Sequence, residues 1–262
     1  MRAYLDNAAT TPMDPQVYEA MEPYLRHHFG NPSSTHSFGR EVRSAIESAR
    51  KTIADILNAT PGEIYFTSSG TEADNTFLVN QVRFNGIKNI ITSPIEHHAV
   101  LHVAEALKET EGIDLHLLSI DEQGNIDLNE IANILKENEN CLVSLMEANN
   151  EIGNLIDIKA VGEVCKEYGA VFHSDTVQTL GYLKHDLSAT NVACIVGSAH
   201  KFHGPKGIGM MYLRKGTKQE PYLLGGGQER GMRAGTENVY GIIGFAKALE
   251  IAHSSRDAKY AS

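Results

Sequence analysis

Lys201 is the residue in this sequence best placed to act as a nucleophile. It stands between His200 and His203 in SAHKFHGPKG (198–207), after an apolar run and just ahead of a Gly-Pro turn. Polar neighbours without a carboxylate weaken an ammonium's hold on its proton, and the free amine can attack a carbonyl carbon. Lys206 is the rival amine, in a turn expected to leave it solvated, and a solvated surface role is the ordinary fate of a lysine. Asp175 ends AVFHSD (170–175) and is followed by Gln178. A carboxylate there can pair with a buried cation such as a pyridinium nitrogen, or it can simply cap a helix. His97, in IEHHAV (95–100), could stack on a flat ring or begin a surface helix. Asn149 and Asn150, in EANNEIGN (147–154), could offer an amide to a cofactor oxygen or build a turn.

Two further stretches could hold an anion. SSGTEADN (68–75) leads small hydroxyl residues and Gly70 into a helix, with Ser69 and Glu72 spaced as a capping box. The free N–H groups and partial positive charge of such a helix start suit a phosphate, although an ordinary capped helix reads the same way. GGGQERGMRAGTEN (225–238) combines glycines with Arg230, Arg233 and Thr236, which could bring N–H groups and cations to an anion. It does not follow a strand as nucleotide-binding glycine loops do. No metal site is expected, since His200 and His203 lack a third ligand at a suitable spacing.

The elements that must position these residues alternate along the chain. Segments 63–67, 89–93, 114–120, 141–147, 170–175, 192–198 and 207–213 read as short strands rich in β-branched and aliphatic residues. Helical spacing links Val100, Val103, Ala104 and Leu107, then Val161, Val164, Cys165 and Tyr168. Leu128, Ile131 and Leu135 form another stripe after Asp127, a suitable N-cap, and 239–253 reads as a closing helix. Strand–helix alternation with nearly all-apolar strands predicts an α/β fold, a mostly parallel central sheet with helices on both faces. Ligands of such sheets bind beyond the carboxyl ends of the strands, where the residues above are found.

Composition narrows the function classes. The chain has 262 residues, enough for a large core, and a formal charge of −10, which disfavours nucleic acid or an anionic membrane surface as partner. No apolar run is long enough to span a bilayer, and the first residues carry no apolar signal segment. Cys141, Cys165 and Cys194 form no CxxC pair and fall at apolar positions, so they read as core residues of a protein from a reducing compartment.

The motifs together resemble one family over essentially the whole chain. YLDNAATTP (4–12), FGNPSSTHSFG (29–39), FTSSGTEADN (66–75), EHHAV (96–100), NNEIG (149–153), HSDTVQ (173–178), SAHKFHGPKGIG (198–209) and GGGQERGMRAGTEN (225–238) are similar to cysteine desulfurases of the NifS/IscS type. These are class-V-aminotransferase-like enzymes dependent on pyridoxal 5'-phosphate, and the resemblance implies their fold type I large domain. It implies that Lys201 bonds the cofactor and moves protons, Asp175 pairs with the ring nitrogen, and His97 stacks on the ring as a candidate acid–base. Gln178 would reach the phenolic oxygen and Asn150 would also contact the cofactor. Gly70, Thr71, Ser198 and His200 would hold the phosphate. Thr236 would reach the phosphate of a neighbouring subunit, so a homodimer is implied.

The implied reaction takes sulfur from L-cysteine, leaves L-alanine, and passes an enzyme-bound persulfide to an acceptor such as an iron–sulfur scaffold in the cytoplasm. The resemblance makes 1–15 an N-terminal arm that packs with a C-terminal small domain, and 16–262 the cofactor-binding large domain. The small domain, which carries the persulfide-forming cysteine and a carboxylate-binding arginine, is expected to be absent from these residues. Two other readings compete: selenocysteine lyase or another β-elimination at the same site, and a cofactor-binding chain without turnover.

Overall fold

Seven short strands form one sheet, in a computed structural model that describes residues 3–260. They are β1 (Ile64–Thr67), β2 (Asn89–Thr92), β3 (Asp114–Leu117), β4 (Cys141–Ser144), β5 (Val171–Asp175), β6 (Cys194–Ser198) and β7 (Gly209–Leu213). Each lies within a segment expected from the sequence, and the observed strands are shorter by one to three residues. The spatial order is β1-β7-β6-β5-β4-β2-β3. Every neighbouring pair is parallel except the two made by β7, which runs antiparallel to β1 and β6. The expected α/β architecture, mostly parallel, is therefore what the chain adopts.

Helices cover both faces: α1 (Pro15–Arg26), α2 (Ser37–Ile56), α3 (Gly70–Asn85), α4 (His98–Glu111), α5 (Leu128–Glu137), α6 (Ile158–Glu167) and α7 (Val239–Tyr260). Alternate residues of the strands feed two separate cores. Val143, Phe172, Ile195, Met210 and Tyr212 meet α1, α2, α5, α6 and α7 on one side. Leu142, Cys194, Val196, Met211 and Leu213 meet α3 and α4 on the other. All three cysteines are buried, and burial pushes the Cys165 thiol up to about 12.

Local chemistry explains the helix ends. Asp127 and Asp157 cap α5 and α6 by accepting backbone N–H groups, and Gly86 and Gly112 end α3 and α4 in the left-handed conformation. α7 continues to Tyr260, past the end expected at 253, and no glycine or proline stands between those two positions to stop it. Helix α3 is unusual in burying polar as well as apolar residues: Asp74, Thr76, Asn80 and Gln81 are all buried. The 218–220 segment packs over it, with Asn80 and Glu220 exchanging hydrogen bonds of 2.8 and 2.7 Å.

The two domain spans read from the sequence are represented from residue 3 to residue 260; residues 1, 2, 261 and 262 lie outside the described part. Residues 11–14 lie along the turn after β6. Thr11 N–H donates to the His200 carbonyl at 2.9 Å and Asp14 N–H to that of His203 at 3.0 Å.

Candidate active site

A cavity of about 200 Å³ opens at the carboxyl ends of β4, β5 and β6, beneath the first turn of α3. Gly70, Thr71, His97, Asn150, Asp175, Gln178, Ser198, His200 and Lys201 all line it. These are nine of the ten cofactor-binding positions expected from the sequence. Thr236 is the tenth, and it lines a separate cleft with Ser68, Gly207 and Arg233. Ser69, Asp74, Met146 and Val177 line the cavity as well and were not among the expected residues.

The anion end is built from backbone. Ser69 caps α3, its Oγ accepting Glu72 N–H at 3.1 Å, while Gly70 and Thr71 occupy the turn whose N–H groups have no intrahelical acceptor. The expected capping box is only half formed. Glu72 reaches past Ser69 to the N–H of Ser68 at 2.9 Å and takes Arg233 at 2.8 and 3.0 Å. Burial alone would raise the Glu72 carboxyl, yet bonds from Arg233 and Ser68 hold it below the usual range. A Cβ on Gly70 would come within 2.6 Å of Val177 Cγ2, so any side chain here would force Val177 or the turn to shift. Arg230 and Arg233, expected as possible anion ligands, have other partners. Arg230 donates to the carbonyls of Pro61 and Gly62, and Arg233 pairs with Glu72.

The other end carries a carboxylate and an amine. Asp175 is buried at the end of β5, its Oδ1 accepting Val177 N–H at 2.8 Å. Burial pushes its pKa up, against Val177 N–H, His97 and Lys201. Lys201 is half-buried, and desolvation lowers its pKa despite the charges of Asp175 and Asp6. Its Nζ donates to the Ala8 carbonyl and to that of Ala9 at 3.0 Å. Lys206, by contrast, is exposed.

Ala8 also accepts from Gln178 Nε2 at 3.0 Å. The His200 pKa is lowered by burial and by Lys201 and Lys206, and its Nδ1 lies 3.1 Å from Thr10 Oγ1.

His97 and the asparagine pair divide the alternatives left by the sequence. His97 caps α4, its Nδ1 accepting Ala99 N–H at 3.1 Å, so in the neutral ring the proton sits on Nε2. It both begins a helix and lines the cavity. Asn149 does the turn chemistry, accepting from the N–H groups of Glu151 and Ile152 and donating to the Ile95 carbonyl. Asn150 is the one that faces the cavity.

Comparison with known proteins now bears on this arrangement. The family profile described as aminotransferase class-V matches residues 3–261. The chain belongs to the class-V aminotransferase family. Among class-V relatives, a cysteine desulfurase IscS of Dictyoglomus turgidum is 48% identical over 252 residues, covering 95% of this chain and 63% of that protein. One from Methanosarcina thermophila is 47% identical over 252 residues, covering 95% and 62%. Among solved structures, a NifS-like protein superposes with a TM-score of 0.95 at 41% identity, over 98% of this chain and 71% of that one. A structure described as SspA in complex with cysteine gives 0.90 at 35% identity, over 95% and 72%. The chain thus spans a little under two thirds of the length of these two curated relatives.

Class-V aminotransferases use pyridoxal 5'-phosphate. The residues here fit that group: a glycine-backed helix start for a phosphate, a half-buried amine of lowered pKa for an aldehyde, and a buried carboxylate for a ring nitrogen.

Proposed function

We propose that this chain is the cofactor-carrying domain of a cysteine desulfurase, which removes sulfur from L-cysteine, releases L-alanine and passes the sulfur on as a persulfide. The observation that carries the reading is the convergence of Lys201, Asp175, His97 and the start of α3 on one cavity. The desulfurase names of relatives 46–48% identical support the choice of substrate.

When bound, pyridoxal phosphate supplies an aldehyde carbon and an electron-withdrawing ring. The chain's own residues supply the rest. Lys201 offers Nζ as the attachment point and then, freed by an incoming amino group, holds a proton next to the substrate's Cα. Asp175 keeps a proton on the ring nitrogen. At ~4 Å and an effective dielectric near 20, such a pair attracts by about 4 kcal/mol before any desolvation cost. Gly70 and Thr71 N–H groups, with Ser198 and His200, hold the phosphate. Gln178 would reach the ring's phenolic oxygen, Asn150 would also contact the cofactor, and His97 would stack on the ring as a candidate acid–base.

The proposed assembly is a homodimer in which Thr236 completes the neighbouring site. Its cleft lies outside the cavity of its own chain, as that role requires. The persulfide is proposed to form on a cysteine of a small domain that does not fall within these residues, because Cys141, Cys165 and Cys194 are buried and burial raises their pKa values. The proposed acceptor is an iron–sulfur scaffold or another sulfur-transfer protein.

The test is borohydride reduction of the cofactor-loaded chain followed by peptide mapping. The adduct is expected on Lys201 and is expected to vanish in Lys201→Ala. An adduct elsewhere, or none, refutes the site. Alanine release from cysteine, compared with selenocysteine and cysteine sulfinate in a protein that includes the small domain, then tests the substrate.

A further inference from the structure

Behind Asp175 lies a second acid that the reaction outlined above does not use. Asp74 sits one turn into α3, is 1% exposed, and lines the same cavity. On β5, His173 and Asp175 are two residues apart and therefore point to the same face, the one that α3 covers. Asp74 Oδ1 lies 3.3 Å from His173 Nε2, and among the described residues neither buried atom makes a well-directed hydrogen bond, to the other or to a third group. The imidazole is itself held in place: Nδ1 lies 2.9 Å from Ser144 Oγ, and Phe77 stacks on the ring at 5.3 Å and 21°.

We propose that Asp74 is a neutral carboxylic acid that donates its O–H to His173 Nε2, leaving Asp175 as the one negative charge opposite the cofactor's ring nitrogen. Asp74 is thus a positioning residue acting through Asp175. The role rests on the reading of Asp175 given above, while the protonation of Asp74 does not.

Three features decide where the proton sits. Complete burial drives the Asp74 pKa well up, and the nearby Asp175 carboxylate, with Glu96 whenever that acid is ionised, pushes it the same way. Burial raises the Asp175 pKa as well, but unlike Asp74 it has Val177 N–H, His97 and Lys201 beside it, all of which favour its ionised form. Cys194, the remaining titratable neighbour, is a thiol driven upward by burial and carries no charge at neutral pH. Burial lowers the His173 pKa to about 3, so its ring is neutral. In the tautomer that sends Nδ1–H to Ser144 Oγ, which is the one proposed here, Nε2 is a bare acceptor that matches an Asp74 O–H. The reverse arrangement, Nε2–H donating to an ionised Asp74, would put two like charges side by side in a buried site.

Infrared spectroscopy of the chain without cofactor tests the proton directly. At pH 7 a carbonyl stretch of a protonated aspartic acid is expected. It should shift on [4-¹³C]aspartate labelling, disappear in Asp74→Asn, move in His173→Gln and survive in Glu96→Gln. The labelled wild-type chain serves as the test even if a variant does not fold, and absence of an aspartic-acid band there overturns the proposal. With cofactor bound at Lys201, the pH midpoint of its visible absorption should move in Asp74→Asn by less than about 0.5 unit. Loss of an ionised neighbour would move it by roughly 1–3 units, and a shift of that size also overturns the proposal. An aspartic-acid band in a chain that forms no Lys201 adduct would leave the proton on Asp74 and remove its role behind the ring.

Discussion

The buried pair between Arg50 and Glu229 gives the sharpest stability prediction. Arg50, on α2, is 2% exposed, and Glu229, in the glycine-rich loop, is 5% exposed. Arg50 Nη1 and Nη2 donate to the two Glu229 oxygens at 2.9 and 2.8 Å, and Phe66 N–H donates to Oε2 at 2.9 Å. Glu229→Gln keeps the volume but turns one acceptor into a donor facing Phe66 N–H and a guanidinium left with the Ile64 carbonyl and Glu47 as its acceptors. Breaking one side of a buried pair costs about 3–5 kcal/mol. Glu47, 3.2 Å from Arg50 Nε but half-exposed, remains as a partial counter-charge, so the lower end of that range, about 3 kcal/mol, is expected. For a domain of this size that corresponds to a Tm lower by about 6–12 °C. Urea unfolding followed by far-UV circular dichroism measures it, with an unchanged m-value showing that the same surface is exposed. A loss under about 1 kcal/mol would mean that the pair is already solvated, and the account of how this loop is anchored would fail.

Other outcomes follow from burial and geometry. Cys141, Cys165 and Cys194 should resist a thiol reagent at pH 8 in the folded chain and react once urea is added, because burial blocks access and raises their pKa values. A fast-reacting thiol in the native state would contradict this. The Glu96 carboxyl is pushed by burial from 4.5 to about 8, so from about pH 5 to 8 the unfolded chain ionises there while the folded chain keeps its proton. Stability therefore falls as pH rises through that window, and Glu96→Gln should flatten the slope by up to about 1.4 kcal/mol per pH unit. Parallel pH profiles for variant and parent would refute it. Gly70→Ala forces a Cβ to within 2.6 Å of Val177 Cγ2 and should weaken cofactor retention by about 1–3 kcal/mol, measured by equilibrium dialysis of pyridoxal phosphate.

What the sequence revealed, and what it hid, follows from the range of the interactions involved. Strand and helix positions were legible because Ile90–Ile91, Leu142–Val143 and Ile195–Val196 carry their apolar signal locally. Most of the site residues were legible for the same reason, since all but Thr236 end a recognisable strand or lie in the stretch just after one. The partners of Arg230 and Arg233 could not be read from the sequence. Both lie more than 150 residues away along the chain, and nothing nearby marks which cation is already neutralised. Asn149 and Asn150 differ only in which side chain closes the turn, which depends on the Ile95 carbonyl of another segment. Nothing in the sequence immediately around Asp74 distinguishes it from an ordinary helical acid. The one available signal was that α3 places Asp74, Thr76, Asn80 and Gln81 around its circumference with no continuous polar stripe, as expected of a helix packed on more than one side.

The placement of β7 has a consequence for biosynthesis. Strand β1 has only β7 as a ladder partner, and Gly209 passes so close to Ser69 that a Cβ there would lie 2.4 Å from its carbonyl carbon. The floor under the α3 start is thus laid by a segment about 140 residues downstream, which leaves the ribosome last among the strands. When residue 200 has emerged, Asp175, His97 and the α3 motif are exposed, yet the strand that locks them into register is still inside the ribosome. Capture of the cofactor by the nascent chain must wait until residue 213 has cleared the exit tunnel, and stalled translation products shorter than that should emerge colourless.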